Sequence, residues 1–258
     1  MKEQAEVLIS ISVYAFALIF YNKLNKMLYP LSKDQPVPDM VGSSKNNNRL
    51  TIEQATTSGS SKNNNQLKNY QATTSKGALY LKDYEKHKKL YKIYYISLYV
   101  AGFLTVMVFH NPLMALVLAS CLVASEDDIK SLMVYDYYSF IPALAIIIGI
   151  IITRPHFEIW NLVPVVFCIL SIYTRGMADT FMMIIFGLYG IYINDPFAVL
   201  LGYTMAYIWQ LLFQLVMCGK HHIRYKERRK MDGFRLPFMP ALSIGFMLGF
   251  YIEYIMMK

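Results

Sequence analysis

Hydrophobic residues in this chain are gathered into long, nearly uncharged runs, at roughly 5–21, 94–109, 112–126, 138–153, 159–174, 178–193, 196–217 and 236–257. No other feature restricts the fold as severely. A helix needs about 20 apolar residues to cross the hydrocarbon core of a bilayer, and several of these runs approach that length. Within lipid the backbone has no water to bond to, so only a helix or a closed barrel can cross. The runs lack the alternation of barrel strands, so an all-α, polytopic transmembrane helical bundle of about eight spans is expected. Composition agrees: 55% of residues are hydrophobic and 16% charged, where soluble domains carry about 25% charge.

Basic residues set the expected orientation. Of 25 Lys and Arg, 13 fall in 22–93 and 7 in 218–235, while Lys130 and Arg175 lie in shorter loops on the same side of an eight-span arrangement. Only Lys2, Arg154 and Lys258 fall on the other side. The positive-inside tendency then places 22–93 and 218–235 in the cytoplasm and the N-terminus outside. The first run carries Glu3 and Glu6 and has no small-x-small site after Phe20, so it is expected to stay as an anchor over 1–21 rather than be removed as a leader. The net charge of +8 is accounted for by loops meeting anionic lipid and calls for no nucleic acid.

The expected cytoplasmic segment, 22–93, contains a tandem repeat. Residues 43–59 and 60–76 both open with Ser-Ser-Lys-Asn-Asn-Asn and agree at 12 of 17 positions. Two polar copies cannot bury enough surface to offset ordering entropy, so 43–76 is expected to be disordered. Residues 79–93 form a basic, Tyr-rich stretch expected to lie as a helix along the membrane surface. Cys121, Cys168 and Cys218 have no paired spacing, and His221 and His222 sit in a basic loop without further ligands, so no metal or other cofactor is expected. The remainder, 94–258, is the transmembrane core.

Two carboxylates stand at the edges of apolar runs. Asp128 follows the run ending at Ala124, and Asp179 precedes the run starting at Phe181. Ionisable groups at membrane depth are costly and mark function by default. Span counting puts both on the cytoplasmic side. Asp128 also has an ordinary reading, as an interfacial residue beside Glu126 and Asp127. Asp179 follows Gly176 and Ala178, small residues that allow a close turn into the membrane. Two carboxyl groups that share one proton can hold and activate a water, which is how aspartic proteases work. No Ser or Cys nucleophile with a nearby His emerges from the runs.

Three segments resemble one family in the right order. Asp128-Ile129-Lys130, leading to Tyr135-Asp136, is similar to the first active-site segment of type IV prepilin peptidases, where an Asp-x-Lys/Arg run precedes a Pro-Asp/Asn pair. Gly176-Met177-Ala178-Asp179 resembles their GxGD motif, and Leu236-Pro237-Phe238-Met239-Pro240 resembles their Pro-Phe-x-Pro segment. The resemblance covers roughly 112–257. It implies a GxGD-type intramembrane aspartic endopeptidase with Asp128 and Asp179 as the catalytic pair and Lys130, Gly176, Ala178, Pro237 and Pro240 supporting the motifs. It further implies type IV prepilin-like precursors as substrates, cleaved at the cytoplasmic face of the plasma membrane. Tyr135, Ala178 and Phe181 depart from the family's usual Pro, Gly and Lys. Residues 22–93 contain no Cys, so the zinc-associated domain linked to pilin methylation, and with it methyltransferase activity, is expected to be absent.

Two alternatives remain open at this point. Tyr135-Asp136, Asp179 and Pro240-Ala241-Leu242 also resemble the signatures of presenilin and signal-peptide-peptidase proteins, with Asp136 as the partner of Asp179. A non-enzymatic transporter or assembly protein is the other. The residues do not specify an oligomeric state.

Overall fold

The computed structural model describes residues 2–33, 78–132, 134–171, 177–220 and 236–258. Each apolar run lies largely within a helix, and no strand occurs among the described residues. The helices are α1 (Lys2–Lys33), α2 (Ala78–Lys86), α3 (Lys88–Phe109), α4 (Pro112–Ser131), α5 (Tyr137–Thr153), α6 (Val163–Ser171, after a 3-10 turn at Ile159–Leu162), α7 (Met177–Ile193), α8 (Pro196–Lys220) and α9 (Met239–Met256). Four segments are long and apolar enough to cross a membrane: Glu3–Met27, Lys88–Phe109, Pro196–Lys220 and Met239–Met256. The apolar helices Tyr137–Thr153 and Ala178–Ile193 are shorter. Large side chains such as Phe16 (70% exposed) and Ile152 (75%) point out of the bundle, as lipid-facing residues do and as a water-soluble surface does not. The repeat at 43–76, Arg175, Gly176 and the basic loop at 221–235 lie outside the described residues.

Local sequence chemistry starts two of the helices in the same way. Asn111 precedes Pro112, and its Oδ1 accepts the N–H groups of Leu113 (3.0 Å) and Met114 (3.1 Å). Asp195 precedes Pro196, and its Oδ1 accepts the N–H of Ala198 at 3.0 Å. A short polar side chain at the cap satisfies donors that the first turn leaves open, and proline in that turn loses no hydrogen bond.

α8 and α9 touch backbone to backbone. Ala198, Gly202 and Ala206 make one small stripe, with Gly245 and Gly249 on the facing helix. A Cβ on Gly245 would lie 2.3 Å from the Gly202 carbonyl oxygen, and one on Gly249 would lie 2.4 Å from that of Ala198. Small residues at four-residue spacing let helices approach this closely in membranes. Beside the seam, the Phe186 and Phe246 rings stack with centroids 4.0 Å apart. The glycine seam limits how α9 can slide along α8, and with it the position of the α9 N-terminus that the site below uses.

The short helix α2 is fastened at one end of the bundle. Tyr80 donates to the Ile129 carbonyl (2.9 Å), and buried Asp83 accepts from Lys220 Nζ (2.6 Å) and Tyr91 OH (3.0 Å). Burial alone would raise the Asp83 pKa. The hydrogen bonds from Lys220 and Tyr91, with the charges of Lys220 and His87, outweigh it and hold the group below its ordinary value.

Two predictions follow from this packing. Gly245→Leu, forced against backbone with no flexible atom to yield, is expected to destabilise the detergent-solubilised protein by at least about 3 kcal/mol, read as a lowered thermal midpoint; an unchanged midpoint would contradict the seam. The Asp83 contribution to stability is full above the unfolded carboxylate pKa of about 3.9 and is lost as pH falls through the lower folded value. Asp83→Asn should therefore flatten the acid limb of the stability profile.

Candidate functional site

The acidic triplet Glu126-Asp127-Asp128 closes α4, and each residue finds a different neighbour. Successive helical residues point about 100° apart, so three consecutive acids reach three surfaces. Glu126 accepts from Tyr99 OH of α3 at 2.7 Å and pairs with Lys130. Asp127 accepts the Asn25 side-chain amide of α1 (2.8 and 3.1 Å) and the hydroxyl of Tyr138 on α5. Asp128 turns to α9.

Asp128 is 5% exposed. Its Oδ2 accepts the backbone N–H groups of Phe238 (2.7 Å) and Met239 (3.0 Å). Those donors are the open end of α9, whose first turn carries the partial positive charge of the helix dipole. The buried Pro237 and Pro240 frame this delivery: Pro240 lies in the first turn, where its missing N–H costs nothing. One turn and two turns before Asp128, Ser125 and Cys121 lie on the same face of α4. The Ser243 hydroxyl of α9 is 2.8 Å from Ser125 Oγ and 3.0 Å from Cys121 Sγ. Ser125 Oγ donates to the Cys121 carbonyl at 2.7 Å. Its single proton is thus used, so Ser243 donates to Ser125 and the thiol donates to Ser243. Every member of this buried chain is satisfied.

Asp179 lies in the first turn of α7, half-buried between half-buried Ala178 and buried Thr180. Asp128 is thus bonded to the start of α9, while Asp179 opens α7. Lys130 is placed elsewhere: it bonds Glu126 and lies 5.3 Å from the centre of the Tyr95 ring. Asp136 is exposed at the start of α5 and makes no side-chain cap there. Phe181, in the position of the family's Lys, is 40% exposed.

Sequence reasoning missed Asp127 with its Asn25–Tyr138 anchorage and the bonds that join Cys121, Ser125 and Ser243. The spacing of Cys121, Ser125 and Asp128 was a usable signal, since steps of four and three make a polar stripe on one helix face. A narrow gap lined by Ile129, Gln210, Pro237 and Pro240 adjoins Asp128 in the chain and in space. Gln210 is 3% exposed, and its Oε1 has no hydrogen-bond partner among the described residues. It is a buried acceptor left open beside the site.

A carboxyl group seated on a helix N-terminus is stabilised as an anion and can take a proton from water. Asp128→Ala leaves two buried N–H groups unpaired and should cost about 2–3 kcal/mol, with faster hydrogen exchange at the Phe238 and Met239 amides. Asp128→Asn keeps an acceptor and should cost less. Equal stability of wild type and Asp128→Ala would contradict the seating. Compared with known protein families, curated proteins and solved structures, the chain matches none.

Proposed function

We propose that the chain is a membrane-embedded aspartic endopeptidase of the prepilin peptidase type, using Asp128 and Asp179. Its substrates are type IV pilin-like precursors, whose short leader it removes at the cytoplasmic face of the plasma membrane. The arrangement is eight spans with the N-terminus outside, supported by the distribution of Lys and Arg in the sequence. The observation that carries the reading is Asp128, buried and bonded to the backbone of the Pro237–Pro240 segment. Two of the three segments that resemble the family therefore touch through these bonds.

The chemistry is hydrolysis by a shared-proton pair. Asp128, seated on the α9 N-terminus, is the ionised member, and Asp179 carries the proton. Water loses a proton to Asp128 as its oxygen attacks the scissile carbonyl, whose developing charge is met by the Asp179 proton. The tetrahedral adduct collapses as the amide nitrogen takes the proton from Asp128, releasing leader acid and mature amine. The precursor's apolar helix stays in the bilayer. No metal or organic cofactor takes part.

Co-expression with a pilin-like precursor tests this. Asp128→Asn and Asp179→Asn should each lower cleavage by at least about 100-fold, while Asp136→Asn stays within about threefold of wild type. Cleavage that survives both substitutions would end the protease assignment. Loss with Asp136→Asn and not with Asp128→Asn would move the site to the presenilin-like pair.

A further inference from the structure

A groove of about 480 Å³ runs between α3 and α8, with α2 closing one end. Its walls are almost wholly apolar: Leu90 and Tyr94 on one side, Trp209, Leu212, Phe213 and Val216 on the other. Leu90 is 67% exposed, Leu212 51% and Val216 64%, so the groove opens sideways from the bundle. From Trp209 to Lys220 the α8 wall rises about 17 Å, close to the thickness of one leaflet's hydrocarbon, about 15 Å. The groove is therefore long enough for one chain of one leaflet.

Its closed end lies beside a run of exposed lysines. Lys220 and His87 line the rim, with side chains 41% and 33% exposed. His87 belongs to the run Lys86-His87-Lys88-Lys89, in which all three lysines are exposed. At the rim Lys220 and buried Asp83 neutralise each other, so the net positive charge beside the groove is that of Lys86, Lys88 and Lys89. Apolar walls of leaflet length under a basic rim match an amphiphile with an anionic head, and basic pockets between spans on the cytoplasmic side take such headgroups.

We infer that this groove binds an anionic glycerophospholipid of the cytoplasmic leaflet, one acyl chain lying along α8 and the phosphate held by the exposed Lys88 and Lys89 that follow His87 at its rim. The assignment rests on the orientation proposed above and is independent of peptidase activity. The bound chain walls off the site from bulk lipid, because Tyr91, Tyr94, Trp209 and Phe213 line both the groove and the gap beside Pro237 and Pro240.

Native mass spectrometry of the full chain, loaded from vesicles of phosphatidylglycerol or of phosphatidylcholine with the same acyl chains, tests the inference. Wild type should retain phosphatidylglycerol at least tenfold better. Val216→Trp, which fills the groove, should abolish retention of both. Lys88→Ala with Lys89→Ala should bring phosphatidylglycerol down toward phosphatidylcholine. Equal retention of the two lipids, or retention unchanged by Val216→Trp, would overturn it. Binding of inorganic phosphate as strong as that of the lipid would also overturn it, since the groove would then contribute nothing. Displacement of the lipid by a precursor's apolar helix, with cleavage lost in Val216→Trp, would give the groove to the substrate instead. Running the assay on Asp128→Asn separates the two claims: lipid retention persists there whether or not the wild type is a peptidase.

Discussion

The end of α4 governs the arrangement around it. Three adjacent acids leave the helix in three directions, and each is matched by donors on a different element: Tyr99 of α3, Asn25 and Tyr138 of α1 and α5, and the backbone of Phe238 and Met239. Buried carboxylates are tolerated only when their oxygens are paired, so these contacts constrain where four neighbouring elements can sit. A bundle held by lipid-like side chains alone has little to choose between rotations of its helices. Polar contacts inside it supply the register.

The position of the α9 N-terminus depends on a second constraint, the small-residue seam with α8. Because Gly245 and Gly249 lie against the Gly202 and Ala198 backbone, α9 cannot slide without collision. Its open N–H groups are thereby held where Asp128 reaches them. The same register sets Ser243 opposite Ser125 and Cys121. Packing far from the aspartates thus fixes the electrostatics at one of them.

The apolar runs were legible in the sequence because span length and charge exclusion are local properties, and the Asn111-Pro112 and Asp195-Pro196 caps are local too. The first helix nevertheless extends to Lys33, through Pro30 and well past the expected anchor at 1–21, and packs along α4, where its Asn25 bonds Asp127. Asp128 and Asp179 were recognisable as unusual carboxylates. That Asp128 bonds backbone amides 110 residues away was not, because that bond depends on the depth at which α8 and α9 lock. Lys130 resembled a motif residue, yet the i, i+4 geometry of a helix gives it to Glu126. The separate partners of Asp127 and Asp128 follow from helical rotation, which identical neighbours in a sequence conceal.

The central claim is that Asp128 and Asp179 hold one proton between them. Infrared difference spectroscopy of the carboxylic C=O stretch, recorded across pH on the membrane-reconstituted protein, reads that proton directly. The account predicts a component of the protonated carboxyl band that persists at neutral pH and is lost in both Asp128→Asn and Asp179→Asn. A band that either substitution leaves unchanged, or two aspartates that titrate independently of each other, would contradict it.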